Sequence, residues 1–332
     1  MLVLGIETTC DETAVAIVRD GREILVNLVA SQEVHENFGG VVPELACRRH
    51  IEVLRPLVEQ ALSIVPLSSI DLIAVAYAPG LIGPLLIGLN FAKTLSLATS
   101  IPFVGVNHVE AHLYAAMMDS VPLPALGVVL SGGHTELLMI QALGSYRPIG
   151  KTHDDAIGEA FDKAARLLDL PYPGGPQIEQ LALEGSPSIT FKPAIVKGYP
   201  YAFSFSGLKT ALLYRIRGQN GKSPTSTLSR QEKADLAASF QEAAFATVCD
   251  KIIRASQEFS PHCIVLGGGV TANRRLREKL AEALSLPLLF PPPGLSLDNG
   301  AMIAGLGYHI FNQRGADRHD LLPCSRVDFA TH

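Results

Sequence analysis

The most constraining feature of this sequence is a hydrophobic hairpin pattern that opens the chain and returns near its middle. Residues 2–18 read as two short apolar strands around the polar turn TTCDET, and residues 125–140 read as two more around SGGHTE. Short apolar runs bounded by small and polar residues are typical of buried strands. Two such hairpins, each opening about half of the chain, predict an internally duplicated α/β architecture.

Further strands and helices alternate behind each hairpin. Short apolar runs bounded by Gly or Pro predict strands at 72–76, 103–106 and 263–266. Helical segments are predicted at 53–64, 85–98, 108–117, 158–168, 230–258 and 274–284. The uncharged run 72–92 is long enough for a membrane span, but two prolines and two glycines interrupt it, which favours strand, turn and helix. Residues 217–229 predict a surface loop.

The composition predicts a folded protein with a sizeable core. Of 332 residues, 48% are hydrophobic and 18% are charged, which excludes wholesale disorder, and the length predicts two domains. The N-terminus has no basic region before Glu7, so we expect no signal peptide. Five scattered cysteines without a CxxC pair indicate reduced thiols in a cytoplasmic protein. The net charge of −5 requires any nucleic-acid contact to use a local basic surface or a partner.

A candidate metal site lies in the run NHVEAH at 107–112. His108 and His112 are four residues apart, so on a helix they share a face and can bind one ion. The metalloprotease pattern HExxH places its acid at i+1, whereas Glu110 is at i+2, almost opposite the histidines at ~100° per residue. We predict Asp298 as a third ligand, in a set that suits zinc or ferrous iron. The alternative is a chance histidine pair.

Two glycine-rich loops are candidate phosphate sites. Residues 130–135 and 266–273 both follow apolar strands, and glycines let the backbone approach a phosphate closely. The second loop is the favoured site because it leads into a helix rich in Arg and Lys. Neither loop matches the P-loop or the Rossmann fingerprint. The alternative is that these glycines only make tight strand–helix turns.

A basic, aromatic segment is the candidate RNA surface. Between Ser186 and Gln231 the sequence has no Asp or Glu. Its cations could neutralise phosphates, and its aromatic rings could stack on unpaired bases. The alternative is a solvated face over buried aromatics, with Phe203 or Phe205 in the core. The cations of the segment are Lys192, Lys197, Lys209, Arg215, Arg217, Lys222 and Arg230.

An acidic cluster precedes this segment. Asp155, Glu159 and Asp162 fall on one side of a predicted helix and could hold ribose hydroxyls or a metal-bound water. From spacing alone, we favour helix capping by Asp154 or Asp155 together with surface charge.

Seven motifs, in order along the whole chain, together resemble one family. The family is the catalytic subunit of tRNA threonylcarbamoyladenosine synthase, TsaD. Ser131 stands where archaeal and eukaryotic relatives have a tyrosine, which indicates the bacterial branch, and Ser296 and Leu297 replace the usual Cys-Thr before Asp298. The motifs are ETTCDET at 7–13, NHVEAH at 107–112, SGGHT at 131–135, GEAFDK at 158–163, YPGGP at 172–176, FSFSGLKT at 203–210 and DNGAMIA at 298–304.

The resemblance implies a duplicated actin-like/Hsp70-like ATPase (ASKHA) fold, with two lobes and a nucleotide cleft between them. We expect the N-terminal lobe at residues 1–118, with a C-terminal helix at 303–325 packed back on it. The C-terminal lobe is expected at 119–302, with a helical, basic insertion around 150–240.

The resemblance also implies a reaction. The threonylcarbamoyl group would pass from threonylcarbamoyl-AMP to N6 of the adenosine just 3′ of the anticodon, in tRNAs that read ANN codons. His108, His112 and Asp298 are implied as metal ligands and, with Glu12, as catalytic residues. One divalent ion per subunit is implied, Fe²⁺ first, with Zn²⁺ and Mg²⁺ as alternatives; ATP, ADP or AMP could also occupy the site. The residues implied for adenylate binding are Leu130, Ser131, Gly132, Gly133, His134, Asp162, Gly175, Glu179 and Asn273.

The implied partners are the tRNA, a TsaB-like paralogue that forms a heterodimer with the chain, and a TsaE-like small ATPase. A homodimer of the isolated chain is a further expectation, and no membrane is implied. Two rival hypotheses stay open on the sequence. A metalloprotease would depend on Glu110, and a non-catalytic scaffold would bind nucleotide without group transfer.

Overall fold

The protein contains two five-stranded sheets, seen in a computed structural model that describes residues 1–38, 40–192, 196–218 and 228–327. In the first sheet, of order β3-β2-β1-β4-β5, the first three strands form an antiparallel meander, and β4 and β5 run parallel to β1. Its strands are β1 (Leu2–Glu7), β2 (Glu12–Arg19), β3 (Glu23–Ser31), β4 (Leu72–Ala78) and β5 (Phe103–Asn107).

The second sheet repeats this topology. Its order is β10-β9-β6-β7-β8, with an antiparallel meander from β6 to β8 and with β9 and β10 parallel to β6. The predicted duplication is therefore confirmed, since the two hairpins form corresponding strands in the two sheets. The strands are β6 (Ala125–Leu130), β7 (Thr135–Ala142), β8 (Ser145–Lys151), β9 (Cys263–Gly267) and β10 (Leu288–Leu289).

The observed helices overlap every predicted helical segment. The predictions missed the helices at Gly174–Ala182 and Ser206–Arg217, as well as strands β3, β8 and β10. The first helix begins at Pro43, not at residue 53, because proline suits the first helical turn; its added part buries only Ala46 and His50, so its apolar periodicity is weak. The helices are α1 (Pro43–Ile64), α2 (Ile82–Thr99), α3 (His108–Ala115), α4 (Ile157–Leu167), α5 (Gly174–Ala182), α6 (Ser206–Arg217), α7 (Arg230–Phe259), α8 (Arg274–Ala283) and α9 (Gly300–Arg314).

The uncharged run at 72–92 divides, as predicted, into a strand, a turn and a helix. Within the described ranges, α2 is the one helix whose length and composition would allow it to cross a membrane. Here it packs against α1 and β4. Residues 219–227 of the predicted loop at 217–229 lie outside the described residues.

Two helices are exchanged between the sheets. The helix that follows the first sheet, α3, buries Val109 and Leu113 against Val129 and Val265 of the second sheet. The corresponding helix after the second sheet, α9, packs on the first sheet, in a core shared with β1, β2, β4 and β5. It ends at Arg314, short of the expected 303–325, and residues after it run along β5, where the Asp317 amide donates to the Phe103 carbonyl. Both exchanged helices therefore lie between the sheets.

The segment between β8 and β9 is a helical layer on the outer face of the second sheet. Helices α4 to α7 share one hydrophobic core with β6, β7 and β9. Phe161 lies at its centre, stacked on Phe245 and edge-on to Phe240. The lobe boundaries at 118 and 302 and the insertion limits at 150–240 stay predictions.

Candidate metal and nucleotide site

Three predicted ligands converge where the two sheets meet. The Nε2 atom of His112 lies 3.1 Å from the Oδ1 atom of Asp298, and the Nε2 atom of His108 lies 3.7 Å from the same oxygen. The two imidazole rings are 4.6 Å apart between centroids and nearly perpendicular. Both histidines are buried, and Asp298 is 20% exposed. The fold therefore brings together residues that are far apart along the chain.

The local sequence explains why these side chains are held there. Asn107 ends β5 and caps α3, because its Oδ1 accepts hydrogen bonds from the amides of Val109 and Glu110. Asn299 does the same for α9 by accepting from the Met302 amide, and its Nδ2 donates to the Leu297 carbonyl. The metal-site residues thus sit at the starts of the two exchanged helices, where caps fix the backbone.

The donor set fits a divalent cation. Both ring nitrogens of His112 are buried; Nδ1 has no hydrogen-bond partner among the described residues, and Nε2 lies 3.1 Å from Oδ1 of Asp298, itself a candidate ligand. Such an arrangement costs free energy unless something binds there. One ligand atom from each of His108, His112 and Asp298 lies within 4.8 Å of the others. Two imidazoles and one carboxylate form a three-ligand set that leaves positions open and suits ferrous iron or zinc.

The charges in this site perturb its titratable groups. Burial disfavours the charged form of His108, but the carboxylates of Glu7 and Asp298 more than offset this and raise its pKa to about 9. Burial would raise the pKa of Asp298, yet the imidazoles of His108 and His112 hold it well below its usual range. His134 behaves oppositely: burial and the two neighbouring histidines lower its pKa to about 4. The anionic carboxylate of Asp298 therefore lies near the neutral imidazole of His134.

Glu12, the first residue of β2, belongs to the same electrostatic group. Burial, together with the charges of Asp298 and Asp11, raises the pKa of Glu12 to about 10. Its carboxyl group is therefore protonated at neutral pH in the metal-free protein. Such a strong perturbation beside candidate metal ligands is typical of a functional site.

Glu110 points away from the histidines, as its spacing predicted. Its Oε1 atom accepts a 2.6 Å hydrogen bond from the Tyr146 hydroxyl of β8, and the residue is 3% exposed. A zinc protease would need this carboxylate beside a metal-bound water. The metalloprotease hypothesis is therefore not favoured.

The first glycine-rich loop is open towards the cleft. A Cβ added to Gly132 or Gly133 would meet nothing within 4 Å. The loop is held from behind, since the Ser131 amide donates to the His134 carbonyl and the His134 amide donates to the Ser131 hydroxyl. Leu130, which precedes the loop, is fully buried. An open backbone without side chains is what close approach of a phosphate requires.

The second glycine-rich loop is closed instead, contrary to our preference for it. A Cβ on Gly267 would lie 2.4 Å from the His112 carbonyl oxygen, and one on Gly268, at φ +92°, would lie 2.5 Å from the Leu130 carbonyl oxygen. Two amides at the start of α8 already have acceptors: Asn273 accepts from Leu276, and Glu179 accepts from Arg274. These two glycines thus serve close packing, which was the alternative reading.

Asp162 and Gly175 of the predicted adenylate set lie near the start of α5. The Asp162 carboxylate accepts from the Gly174 amide at the start of α5, and burial raises its pKa to about 6. Gly175 is open, with nothing within 4 Å of an added Cβ. The Tyr172 hydroxyl lies 3.4 Å from an Asp11 carboxylate oxygen, so the two lobes touch at this point.

The predicted RNA segment divides into exposed and engaged cations. Lys192, Lys197, Arg215 and Arg217 are exposed, whereas Lys209 is partly buried and pairs with Asp155 at 3.0 Å. The prediction that Phe203 or Phe205 is buried is confirmed for both. Lys222 lies outside the described residues.

Asp154 and Asp155 have structural roles of the kind that we favoured, but the helix that is capped is a different one. Asp154 accepts from the amides of Phe205 and Ser206 at the start of α6, while the N-cap position of α4 is Ala156. Asp155 forms its ion pairs with lysines on α4 and α6. The cluster thus joins α4 to α6.

Sequence reasoning missed two residues of the site. Glu7 is fully buried at the end of β1 and bonds His108, and Tyr172 contacts Asp11 across the lobes. The available signal for Glu7 was a lone acid at the end of a strongly apolar strand, where an unpaired charge would be costly.

Fold and site together define a two-lobed protein of duplicated topology, with a candidate metal centre at the lobe junction and an open glycine loop beside it. The chain belongs to the TsaD family: the family model described as tRNA N6-adenosine threonylcarbamoyltransferase matches residues 23–305. The protein of that name from Protochlamydia amoebophila (strain UWE25) is 56% identical, over 98% of each chain. Its namesake from Chlamydia felis (strain Fe/C-56) is 50% identical, over 98% of this chain and 96% of its own.

Solved structures share the fold at low sequence identity. Full-length HypF, in a phosphate- and nucleotide-bound form, superposes with a TM-score of 0.63 at 15% identity, covering 95% of this chain and 56% of HypF. Component A of the (R)-2-hydroxyglutaryl-CoA dehydratase of Acidaminococcus fermentans gives 0.52 at 14% identity, covering 93% and 98%. The expected actin-like/Hsp70-like (ASKHA) fold is thus confirmed.

Proposed function

We propose that this protein transfers the threonylcarbamoyl group from threonylcarbamoyl-AMP to N6 of the adenosine just 3′ of the anticodon in tRNA, releasing AMP. The observation that carries this proposal, beside family membership, is the convergence of His108, His112 and Asp298 next to the open loop at Gly132 and Gly133. A group-transfer site for an adenylate needs a phosphate cradle and a charge-stabilising centre within reach of each other. The scaffold hypothesis gives no reason for the three converging ligands.

The metal is part of the proposal. His108, His112 and Asp298 would hold one divalent cation, with Fe²⁺ as the first expectation and Zn²⁺ or Mg²⁺ as alternatives. When bound, such an ion supplies Lewis acidity towards the carbamoyl carbonyl or the phosphate. The chemistry of the donors supports iron or zinc over magnesium, since imidazole is a poor ligand for magnesium.

The protein's own groups position the reactants. The backbone amides at Gly132 and Gly133 would receive the phosphate, with Leu130, Ser131 and His134 shaping the loop around it. The neutral imidazole of His134, whose pKa is lowered to about 4, can accept a hydrogen bond from the substrate without adding positive charge. Because the exocyclic amine of adenosine is a weak nucleophile, most of the acceleration is expected from positioning.

Other residues of the predicted set would hold the nucleoside part of the adenylate. Asp162 and Gly175 flank the start of α5, and Asp162 can accept hydrogen bonds from ribose hydroxyls. Glu179 and Asn273 already bond the first turn of α8, so a role in binding requires them to share or exchange these partners. Glu12, protonated at neutral pH, would act as a hydrogen-bond donor in the metal-free cleft.

The tRNA would contact the exposed cations of the basic segment. Lys192, Lys197, Arg215 and Arg217 are free of the ion pair that occupies Lys209, so they support phosphate contact better than Lys209 does. We further propose a TsaB-like paralogue and a TsaE-like ATPase as partners, a homodimer as the state of the isolated chain, and a cytoplasmic location.

The test is a transfer assay with purified components. The chain, with and without the two partner proteins, is incubated with threonylcarbamoyl-AMP and unmodified tRNA, and nucleoside masses are measured. Wild type should yield N6-threonylcarbamoyladenosine and AMP, and H112A should yield neither above background. E110Q, a matched change on the same helix that faces away from the site, should retain transfer. Full activity of H112A, or of rigorously metal-free wild type, would refute the role of the metal centre.

A further inference from the structure

Glu7 is a fully buried acid outside the proposed ligand set. Glu7 is the last residue of β1, a central strand, and its side chain has no exposed surface. An acid buried this deeply is costly unless each oxygen is bonded. Both are: Oε1 accepts from the Thr9 amide at 2.6 Å, and Oε2 lies 2.9 Å from the Nδ1 atom of His108.

This contact determines which nitrogen of His108 is available to a ligand. A carboxylate can only accept hydrogen bonds, so Nδ1 must carry the proton that faces Glu7. The Nε2 atom, on the side of Asp298, is then the nitrogen that can release its proton and offer a lone pair to a cation. His112 has no such support, because its Nδ1 atom has no hydrogen-bond partner among the described residues and its Nε2 atom faces Asp298.

We propose that Glu7 is a positioning residue of the metal centre, one that fixes the tautomer and ring orientation of His108. This proposal rests on the proposed function, since it assumes that the three ligands bind a cation. The charge balance supports it, because Glu7 and Asp298 together neutralise a divalent ion with two neutral imidazoles. Replacing a carboxylate that holds a ligating histidine in this way typically weakens metal binding 10- to 100-fold.

The isosteric variant E7Q separates this role from packing. Glutamine offers one acceptor oxygen where the site presents two donors, the Thr9 amide and the Nδ1 proton of His108. If its amide nitrogen faces His108, the histidine must accept at Nδ1 and protonate Nε2, which removes the ligand atom. The control is E110Q, since Glu110 is also buried and accepts from the Tyr146 hydroxyl and the Gly144 amide but points away from the ligands; its replacement measures the general effect of altering a buried carboxylate.

The experiment measures the dissociation constants of Zn²⁺ and Co²⁺ by competition with a chromophoric chelator, on the purified full chain. E7Q should bind about 10- to 100-fold more weakly than wild type and show an altered Co²⁺ visible spectrum, whereas E110Q should match wild type. If E7Q does not fold, E7D keeps the charge but shortens its reach, and the same loss is expected of it.

The outcomes distinguish this proposal from the one on which it rests. Unchanged affinity and spectrum in a folded Glu7 variant would overturn the positioning role and leave the metal centre intact. Wild type that binds neither ion would overturn the metal centre and the positioning role together. An equal loss of affinity in E110Q would mean that any buried charge near α3 matters, which also overturns the specific role of Glu7.

Discussion

A single methyl group at Gly267 should disturb the metal centre from behind. Gly267 ends β9, directly against the backbone of α3. In G267A, the added Cβ would lie 2.4 Å from the carbonyl oxygen of His112 and 2.6 Å from its carbonyl carbon. Both neighbours are backbone atoms, so no side-chain rotation relieves the overlap. The peptide at His112 must retreat by about 0.6 Å before the shorter contact reaches even 3.0 Å.

The magnitude of this shift decides the expected result. Overpacking of a well-packed core costs about 1–3 kcal/mol of unfolding free energy, so thermal unfolding of G267A should begin several degrees lower. Metal–ligand distances tolerate only about 0.2 Å, and the displaced peptide carries the imidazole of His112 with it. We therefore expect a loss of Zn²⁺ affinity of at least about tenfold, which corresponds to about 1.4 kcal/mol of binding free energy.

The assay combines thermal unfolding with metal competition, and G133A is the control. An added Cβ at Gly133 would meet nothing within 4 Å, so that variant should match wild type in both measurements. G267A with wild-type melting temperature and wild-type affinity would refute the close packing of β9 on α3. Loss of stability with intact affinity would show that the ligands adjust independently of the helix backbone.

Three further predictions concern the basic segment, the protonation of Glu12 and the hydrogen bonds of the buried His50. R215E should weaken tRNA binding and lower the slope of its salt dependence by about one. K209E should in addition reduce stability, because the new carboxylate would face Asp155. Unchanged affinity of R215E in a filter-binding salt series would exclude this surface. Between the ordinary pKa of Glu12, 4.5, and its raised value of about 10, the folded metal-free protein binds a proton that the unfolded chain lacks. The free energy of unfolding should therefore fall as pH rises, by at most about 1.4 kcal/mol per pH unit. Urea unfolding between pH 6 and 9 should show a weaker pH dependence for E12Q than for wild type, and equal dependences would contradict this prediction. H50L removes the hydrogen-bond partner of the Thr13 hydroxyl and of the Cys10 carbonyl, and each loss should lower the free energy of unfolding by about 1–3 kcal/mol. Wild-type stability of H50L in denaturant would refute this prediction.

Sequence periodicity predicted the elements that bury a regular stripe or carry clear caps. The start of α7 was predicted at Arg230, where Ser229 and Glu232 form a capping box. Strand β3 was missed because it alternates buried and exposed residues only weakly at the edge of its sheet. The glycines at 267 and 268 were misread for a related reason. Glycine permits both phosphate binding and close backbone packing, and only the neighbouring elements decide between them.

The candidate site was predictable in its ligands but not in its supports, and the exchanged helices explain why. His108 and His112 are visible as a local i, i+4 pair on α3, which packs on the second sheet. Asp298 precedes α9, which packs on the first sheet. Asp298 is therefore anchored to the sheet that its own half of the chain did not build, and α3, whose Ala111 and Tyr114 pack in the core of the first sheet, lies between the two sheets. No local pattern encodes that arrangement. It follows that the distances among the three ligands depend on how the two sheets are set against each other. A change at Gly267, in the second sheet, and a change at Glu7, in the first, should consequently reach the same centre from opposite sides.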